Sequence, residues 1–470
     1  MAKAIVIGAG PTGLSLAMLL APRGIDVVVL DRDPAPPASA DDAWDSWERR
    51  SVTQFRQVHF LQPRGRAILE EHLPAVADAM RAAGAVSYNM IQGYAELLPG
   101  GPGEVDFSAF RTLTTCRRPV LELAFHTAAA ATQGVEVRHD VTVSGLVTGP
   151  SAIDGVPHVV GVTTDAGETI TADVVLDASG RRARTPALIA ELGGRAPVEE
   201  AEELGFVYNT QFYRGAAQPE LRGDLLGAAG SFSVLTMPGD RGHWAVTLYH
   251  SSQDKAMRRV RDPEVFERVV RSLPLQAHWA DGERVGDVAT MASTVNTRRE
   301  LMIDGVPVAT GVLPVGDAWG FTNPSLGRGI TLGLVHALDV ADVVAEHLDD
   351  PVKMAGEWDR ATSANAARWH DATVQYDRVR GPEVEAYRQG LPDPHDPHDM
   401  AVAGFRAFDS ARHYDPQVLQ WYGEQATCFT LADDLITRDG VFERVLEVAL
   451  ANEPYVMPAP DRATLETLLV

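Results

Sequence analysis

Cysteine and lysine are both scarce in this chain of 470 residues, and each scarcity narrows what the protein can be. The two cysteines, Cys116 and Cys428, are far apart and lack metal-ligand spacing, which argues against a disulfide framework or a zinc site. A reducing, cytoplasmic setting is therefore expected. Lysine occurs only as Lys3, Lys255 and Lys353, so almost every basic residue is an arginine.

Long hydrophobic runs and an excess of positive charge are also missing. No apolar run approaches the roughly 18 residues of a membrane helix, and the chain begins directly with a strand pattern, so neither a membrane span nor a signal peptide is expected. The formal net charge of −23 disfavours nucleic acid and anionic membranes as partners, which leaves a small molecule. The segment LPDPHDPHDM contains His395 and His398, but their spacing fits no metal signature, so no metal is predicted.

The first thirty-odd residues, KAIVIGAGPTGLSLAMLLAPRGIDVVVLDRD, have the pattern of a β-α-β unit. An apolar run over residues 4–7 precedes G-x-G-x-x-G, a helical run covers residues 14–20, and a second apolar run over residues 27–30 ends at Asp31. This order of elements, with the acidic residue after the second strand, predicts a dinucleotide-binding site. The unit alone does not separate NAD from FAD.

Each position of this fingerprint has its own physical role. Gly8 permits a tight turn, Gly10 lets the backbone approach a diphosphate, and Gly13 lets helix and strand pack closely. The helix N-terminus attracts the anion, and Asp31 accepts hydrogen bonds from a ribose. The residues predicted to bind the dinucleotide here are Gly8, Gly10, Pro11, Thr12, Gly13, Asp31 and Arg32.

Two further motifs follow at a distance. Residues 311–338 read GVLPVGDAWGFTNPSLGRGITLGLVHAL, which predicts a strand over 312–315, a Gly-Asp pair, a loop and a helix from about Ile330. Between these regions, ADVVLDASGRRARTP predicts a strand ending in a turn at Gly180. Ser179 and Ala183 stand there in the places where a known flavoenzyme motif has Asp and Ser.

The three fingerprints GAGPTG, ASG and GDAWGFTNPSLGRG, in this order and spacing, resemble those of the flavoprotein hydroxylase superfamily, of which p-hydroxybenzoate hydroxylase is the type member. The resemblance covers about residues 1–350 and is nearest to hydroxylases and epoxidases of bacterial secondary metabolism. It implies FAD as the cofactor. It also implies an α/β fold with a Rossmann-like FAD-binding domain, an inserted antiparallel-sheet substrate domain and a helical C-terminal region.

The resemblance also assigns cofactor contacts outside the first fingerprint. The segment RRSVTQFR places Arg50 near FAD, CRRPVLELAF places Arg118 near the diphosphate, and Val141 contacts the adenosine through its backbone. Asp317 would hydrogen-bond the ribityl chain, while the glycines of the last motif allow close approach to the flavin ring. The remaining implied contacts are Ser179, Gly180, Gly316, Pro324, Gly327, Arg328, Gly329 and Ile330.

The chain divides by pattern into six segments. The FAD-binding domain is predicted from residues 1–84, 111–195 and 296–350, a small excursion at the pocket from 85–110, the substrate sheet from 196–295 and the helical C-terminal region from 351–470. The substrate sheet is rich in aromatic residues at alternating positions. The predicted pocket aromatics are Tyr208, Phe212, Phe232, Trp244, Trp319 and Phe321.

The resemblance implies a monooxygenase in which reduced FAD reacts with O₂ to give a C4a-hydroperoxide that hydroxylates or epoxidises a small, largely apolar metabolite. An FAD-dependent reductase or dehydrogenase acting on C–C bonds is the alternative. A halogenase of this fold would need a lysine and a W-x-W signature, but the chain has no lysine between Lys3 and Lys255 and no W-x-W. A flavin-binding protein without catalysis is a further alternative. No catalytic residue is assigned, although His59 and His250 are the histidines nearest to the predicted pocket.

The altered middle motif bears on the source of electrons. In the superfamily that motif supports both FAD and a transient NAD(P)H, and here Ser179 carries no charge. We therefore expect NAD(P)H to reduce the flavin slowly, or a separate flavin reductase to deliver the electrons.

Overall fold

The β-α-β unit predicted at the N-terminus is present in the structure, a computed structural model that describes residues 2–203, 205–292 and 295–470. Up to residue 84 the elements are β1 (Ala2–Ile7), α1 (Pro11–Leu20), β2 (Ile25–Leu30), α2 (Ala40–Asp45), α3 (Pro63–His72) and α4 (Pro74–Ala82). Helix α1 starts with a proline, whose missing N–H costs nothing at a first helical position. Gly24 reverses the chain towards β2 with a φ of 83°.

The segment up to residue 195 adds an antiparallel pair of strands, two strands of a parallel sheet and a small three-stranded sheet. Its elements are β3 (Val86–Asn89), α5 (Gln92–Leu97), β4 (Arg111–Thr114), α6 (Arg118–Ala130), β5 (Val135–Arg138), β6 (Val143–Gly149), β7 (His158–Thr164), β8 (Thr169–Thr171), β9 (Val174–Asp177) and α7 (Thr185–Glu191). Strands β3 and β4 pair antiparallel, and α5 lies in the chain between them.

The next segment is dominated by antiparallel strands. Its elements are β10 (Val198–Glu203), β11 (Phe206–Arg214), β12 (Leu226–Ala229), β13 (Phe232–Pro238), β14 (His243–Ser251), α8 (Pro263–Arg271), β15 (Glu283–Met291) and β16 (Val295–Glu300). Five of these strands form one sheet in the order β12-β13-β14-β11-β15. The Asp262 side chain accepts from the backbone N–H groups of Glu264 and Val265 and so caps the N-terminus of α8.

The last motif and the C-terminal helices complete the chain. The elements are β17 (Met302–Ile303), β18 (Val306–Pro307), β19 (Val312–Pro314), β20 (Gly320–Phe321), α9 (Gly329–His347), α10 (Pro351–Ala364), α11 (Ala366–Gln389), α12 (Met400–Ala411), α13 (Pro416–Ala426), α14 (Ala432–Ile436), α15 (Val441–Ala451) and α16 (Arg462–Leu468). None of the described helices combines the length and the apolar character that crossing a bilayer requires.

A parallel sheet in the order β19-β9-β1-β2-β5 brings the three motifs together. Asp177 at the end of β9 pairs with Ile7 of β1 on one side and with Pro314 of β19 on the other. All three strands therefore end at the same edge, and each is followed directly by one of the fingerprints. The carboxyl edge of a parallel sheet is where open α/β folds bind their ligands. The predicted α/β fold class is confirmed.

Two apolar cores hold this arrangement in place. The larger one surrounds the parallel sheet and includes residues of α1, α6 and α9. The smaller one lies on one face of the antiparallel sheet, where Phe232, Trp244 and Trp279 pack with α8 and α16. The opposite face of that sheet is therefore left to line a cavity.

Candidate active site

A cavity of about 1100 Å³ begins at the shared carboxyl edge of β1, β9 and β19 and is bounded further on by the antiparallel sheet and C-terminal helices. Most of the predicted cofactor residues line it: Gly8, Gly10, Pro11, Thr12, Asp31, Arg32, Arg118, Val141, Ser179, Gly180, Asp317, Pro324, Gly327, Arg328, Gly329 and Ile330. Gly13 and Gly316 stand behind this lining and pack against Gly8 and Thr12. Residues that are up to 322 positions apart in the sequence thus meet at one site.

The glycines of the first fingerprint fit a closely approaching anion. Gly8 has a φ of 103°, and a Cβ there would lie 2.6 Å from the carbonyl oxygen of Ala178. A Cβ at Gly13 would lie 2.0 Å from the carbonyl oxygen of Gly8, so helix and turn are in direct contact. A Cβ at Gly10, in contrast, would meet no protein atom within 4 Å, because this backbone faces the cavity. The space next to Gly10 is where a diphosphate would fit.

Asp31 is buried at the end of β2 and forms a hydrogen bond with the turn that follows β1. Its carboxylate accepts from the backbone N–H of Ala9 at 2.5 Å and from the guanidinium of Arg49. Arg49 is buried and lines the cavity, whereas the predicted Arg50 is exposed and lines only a neighbouring cleft. The prediction for this segment is thus corrected by one position. Arg49 faces the cavity because it pairs with Asp31 and Glu122, a partnership that two adjacent arginines in a sequence do not reveal.

Glu122 is the buried carboxylate that joins the two cavity arginines. It accepts from Arg49 Nη1 and from Arg118 Nε, each at 2.5 Å. Burial alone would raise the pKa of Glu122, but the two guanidiniums hold it down at about 2. A glutamate in an apolar helix, four positions after Arg118, is the sequence signal for this residue.

Arg118 is oriented by a second partner, His59. Arg118 Nη1 donates to His59 Nε2 at 2.8 Å, while the Nδ1–H of His59 donates to the carbonyl oxygen of Gln57 at 2.9 Å. Burial, together with the positive charge of Arg118, lowers the pKa of His59 to about 3. The ring is therefore neutral and accepts a hydrogen bond from the arginine. His250, the other histidine considered, is buried between Asn209 and the Ser251 carbonyl and does not line the cavity.

The altered middle motif keeps the turn that its glycine requires. Gly180 has a φ of 82°, and the backbone N–H of Ser179 donates to Asp177 Oδ1 at 2.9 Å. Arg181 reaches the last motif, where its Nε lies 3.3 Å from Asp317 Oδ2. The arginine that follows the altered motif is thus engaged with the Gly-Asp pair rather than free in solvent.

The buried histidine His336 fixes the position of the Gly316-Asp317 pair. Gly316 has a φ of 60°, and its N–H donates to His336 Nδ1 at 3.1 Å. His336 Nε2 lies 3.0 Å from Thr362 Oγ1, and burial lowers the pKa of this histidine to about 3. Neutral His336 can therefore accept from Gly316 and donate to Thr362. Trp319 packs edge-on against this ring at 5.5 Å, within the core.

Of the six predicted pocket aromatics, only Tyr208 lines the cavity. Phe232 and Trp244 point into the core on the other face of the sheet, since side chains alternate between faces along a strand. The other three are displaced for separate reasons: Phe212 packs edge-on against Trp44 at 4.8 Å, Trp319 is in the core, and Phe321 lies 5.3 Å from the guanidinium of Arg181.

The residues that do line the sheet side of the cavity follow from strand pairing. Tyr208 pairs with Tyr249 across β11 and β14, and Tyr249 pairs with Ser233 of β13, so all three face the same way. Further residues on the same face of the sheet also line the cavity: Leu226, Ala228, Leu235, Met237, Thr247 and Met291. Aromatic density in the sequence pointed to the correct strands. Only the register shows which face is toward the cavity.

The remaining walls come from the 85–110 excursion and from the C-terminal helices. Met90, Ile91 and Tyr94 line the cavity from the excursion. Helices α11 to α13 and the residue that caps α12 contribute, among others, Tyr376, Arg380, Phe405, Phe408, Arg412 and Tyr422. The C-terminal region has no recognisable motif, yet it lines the part of the cavity that lies beyond the cofactor motifs, which we call the chamber. Among the described residues, no group of three or more His, Cys, Asp or Glu side chains is arranged to hold a metal ion.

Comparison with known proteins decides the family. Residues 1–356 match a protein family described as FAD binding domain. The chain belongs to this FAD-binding family. Protein Rv3254 of Mycobacterium tuberculosis is 27% identical over 359 residues, which are 71% of each chain. Membership makes FAD the cofactor, and the chain is an FAD-dependent oxidoreductase.

Solved structures of the same fold agree with the predicted resemblance to flavoprotein hydroxylases. PqsL of Pseudomonas aeruginosa, a probable FAD-dependent monooxygenase, has a TM-score of 0.61 at 16% identity, covering 82% of this chain and 96% of its own. The Diels-Alderase PyrE3 of pyrroindomycin biosynthesis has a TM-score of 0.59 at 15% identity, covering 92% of this chain and 81% of its own. These likenesses concern the fold, and one fold can serve different reactions.

Proposed function

We propose that this FAD-binding protein is a monooxygenase that hydroxylates or epoxidises a small, largely apolar metabolite of secondary metabolism. The observation that carries the proposal is the single cavity that joins the three cofactor motifs to an aromatic and aliphatic chamber. When bound and reduced, FAD supplies the activation of O₂ for transfer of one oxygen atom. The protein's own contribution is to bind, to orient and to exclude water.

The cofactor side of the cavity offers a partner to each part of FAD. The backbone at Gly10 and the N-terminus of α1 suit the diphosphate, with Arg118 as the cation. Asp31 suits the ribose, and Asp317 suits the ribityl chain. Helix α9 begins at Gly329 without a side-chain cap, so its first N–H groups can stabilise negative charge on a reduced flavin ring.

The chamber side suits a substrate that has an apolar body and a few polar groups. Leu235, Met237 and Phe405 supply apolar surface, and Tyr208 and Tyr249 stack with ring centroids 5.0 Å apart. Tyr208 donates its hydroxyl proton to Asn323 Oδ1 at 2.6 Å. Its oxygen lone pairs therefore remain available to accept from a substrate hydroxyl. A reactive oxygen donor requires the exclusion of water, and walls from the antiparallel sheet, the 85–110 excursion and the C-terminal helices surround the chamber.

An isotope experiment tests the reaction class. The FAD-loaded protein is supplied with a flavin reductase, NADH and apolar phenolic or alkene candidates under ¹⁸O₂. We expect one ¹⁸O atom in the product, because one oxygen atom of O₂ is transferred to the substrate. A product that forms without label, or that forms equally well under argon, would establish the reductase or dehydrogenase alternative instead.

The source of electrons gives a separate prediction. Ser179 offers no charge at the middle motif, and Arg181 is engaged with Asp317. We therefore propose that NADPH alone reduces the bound flavin more slowly than turnover requires, and that a separate flavin reductase restores the rate. Stopped-flow absorbance near 450 nm under anaerobic conditions measures both rates, with and without substrate candidates. Fast, stoichiometric bleaching by NADPH alone would contradict this.

A further inference from the structure

Asp377 is a buried carboxylate on α11, beyond the part of the chain that matches the FAD-binding family. Its Oδ1 accepts from Asn323 Nδ2 at 3.0 Å and from Ser325 Oγ at 3.1 Å. Its Oδ2 lies 3.5 Å from Asn296 Nδ2. Burial raises the pKa of Asp377 to about 6, so the carboxylate is ionised at pH 8. Burying a carboxylate costs free energy unless it accepts hydrogen bonds, and Asp377 has three donors around it, from Asn296, Asn323 and Ser325.

Asn323 is the junction through which Asp377 reaches the chamber. Its backbone N–H donates to Asn296 Oδ1 at 2.7 Å, and its Oδ1 accepts from the Tyr208 hydroxyl at 2.6 Å. Because Asp377 can only accept from the amide nitrogen, the amide oxygen must face Tyr208. The orientation of the tyrosine hydroxyl is therefore determined by a carboxylate two hydrogen bonds away.

The same carboxylate holds the loop in front of α9. Asn323 and Ser325 belong to the segment that runs through a 3₁₀ turn at Pro324–Leu326 and through Gly327, whose φ is 60°, to the start of the helix. This loop lines the cavity and is the part of the last motif that the family resemblance places against the flavin ring. It has no regular strand pairing beyond Phe321, so side-chain hydrogen bonds have to fix its position.

We propose that Asp377 is a positioning residue that fixes the flavin-facing loop and the Tyr208 hydroxyl, which makes the C-terminal helical region an integral part of the cofactor site. Removing the carboxylate leaves the Asn323 amide and the Ser325 hydroxyl buried without their acceptor. The loop then loses its fixed position. The proposal rests on FAD binding and not on the proposed reaction.

The test compares Asp377→Leu and Asp377→Asn with Glu385→Gln at pH 8. Leucine has the same branched shape as aspartate but accepts no hydrogen bond, whereas asparagine keeps an oxygen for Asn323 and Ser325. Glu385 lies two helical turns further along α11 and pairs with Arg388. The measurements are thermal unfolding of the apoprotein, FAD affinity by fluorescence titration and the visible spectrum at saturating FAD.

We expect Asp377→Leu to raise the Kd for FAD on the order of tenfold, as the loss of an acceptor for buried donors implies. At saturating FAD its flavin absorption bands should also differ from those of the wild type, since the loop in contact with the ring has moved. Asp377→Asn should lie within about threefold of the wild-type Kd, and Glu385→Gln should match the wild type in both measurements.

A wild-type Kd and spectrum in Asp377→Leu would overturn the proposal. So would a weaker Kd with an unchanged spectrum at saturation, because that is the result of lower stability alone. If Asp377→Leu does not fold, a double-mutant cycle of the smaller Asp377→Ala, which also removes the acceptor, and Tyr208→Phe decides. Non-additive effects on the spectrum support the link through Asn323, and additive effects refute it. Neither readout requires turnover, so the outcome is independent of the isotope experiment.

Discussion

A Gly10→Ala variant should fold like the wild type and yet bind FAD about a hundredfold more weakly, a loss of about 2.7 kcal/mol. The added methyl group meets no protein atom within 4 Å, so the apoprotein should lose less than about 1 kcal/mol, the cost of alanine in place of glycine at a helix N-cap. It does occupy the space where the backbone has to approach the diphosphate. Thermal unfolding of the apoprotein and fluorescence titration with FAD measure the two effects separately.

Gly13→Ala is the matched control for this prediction. Here the new Cβ would lie 2.0 Å from the carbonyl oxygen of Gly8, so the helix and turn must move apart. We expect this variant to lose about 1–3 kcal/mol of apoprotein stability, as overpacked sites do. If Gly10→Ala bound FAD normally, the space beside Gly10 would not be the diphosphate site. If it lost as much stability as Gly13→Ala, its weaker binding could not be assigned to that space.

The nucleotide fingerprints could be located from the sequence because their physics is local. Each motif consists of a strand end followed by a glycine that must adopt a positive φ, such as Gly8 or Gly180. Such a pattern can be recognised within a few consecutive residues. The meeting of distant motifs also follows from the pattern. Strands that alternate with helices form parallel sheets, and the loops after neighbouring parallel strands share one edge.

The substrate chamber could not be located in the same way, because it depends on pairing between distant segments. Phe232 and Ser233 are neighbours in the sequence, but the register with β14 turns the first into the core and the second towards the cavity. Arg49 and Arg50 are adjacent residues of the same type, but it is Arg49 that contacts Glu122, a residue 73 positions further along the chain. Asp377 lies in a helix without any motif, and only the fold brings it to Asn323.

The second large effect is expected at Glu122. Glu122→Gln should destabilise the apoprotein by about 3–5 kcal/mol at pH 7, because Arg118 would remain buried without a carboxylate partner and Arg49 would keep only Asp31 and Asp33. Urea unfolding of the apoprotein measures this loss. Glu70→Gln is the control, since Glu70 pairs with Arg66 and Arg81 at the surface and exposed pairs contribute less than about 1 kcal/mol.

The pH dependence identifies charge, rather than packing, as the origin of the Glu122 effect. The pKa of this carboxyl is about 2 in the folded protein and about 4.5 without its partners. A lowered pKa means that the unfolded chain binds the proton first, so the stabilisation is complete above pH 4.5 and disappears as the pH falls towards 2. The difference in unfolding free energy between wild type and Glu122→Gln should therefore shrink from pH 5 to pH 2.5. A difference that stays constant over this range would instead assign the role of Glu122 to its shape and hydrogen bonds.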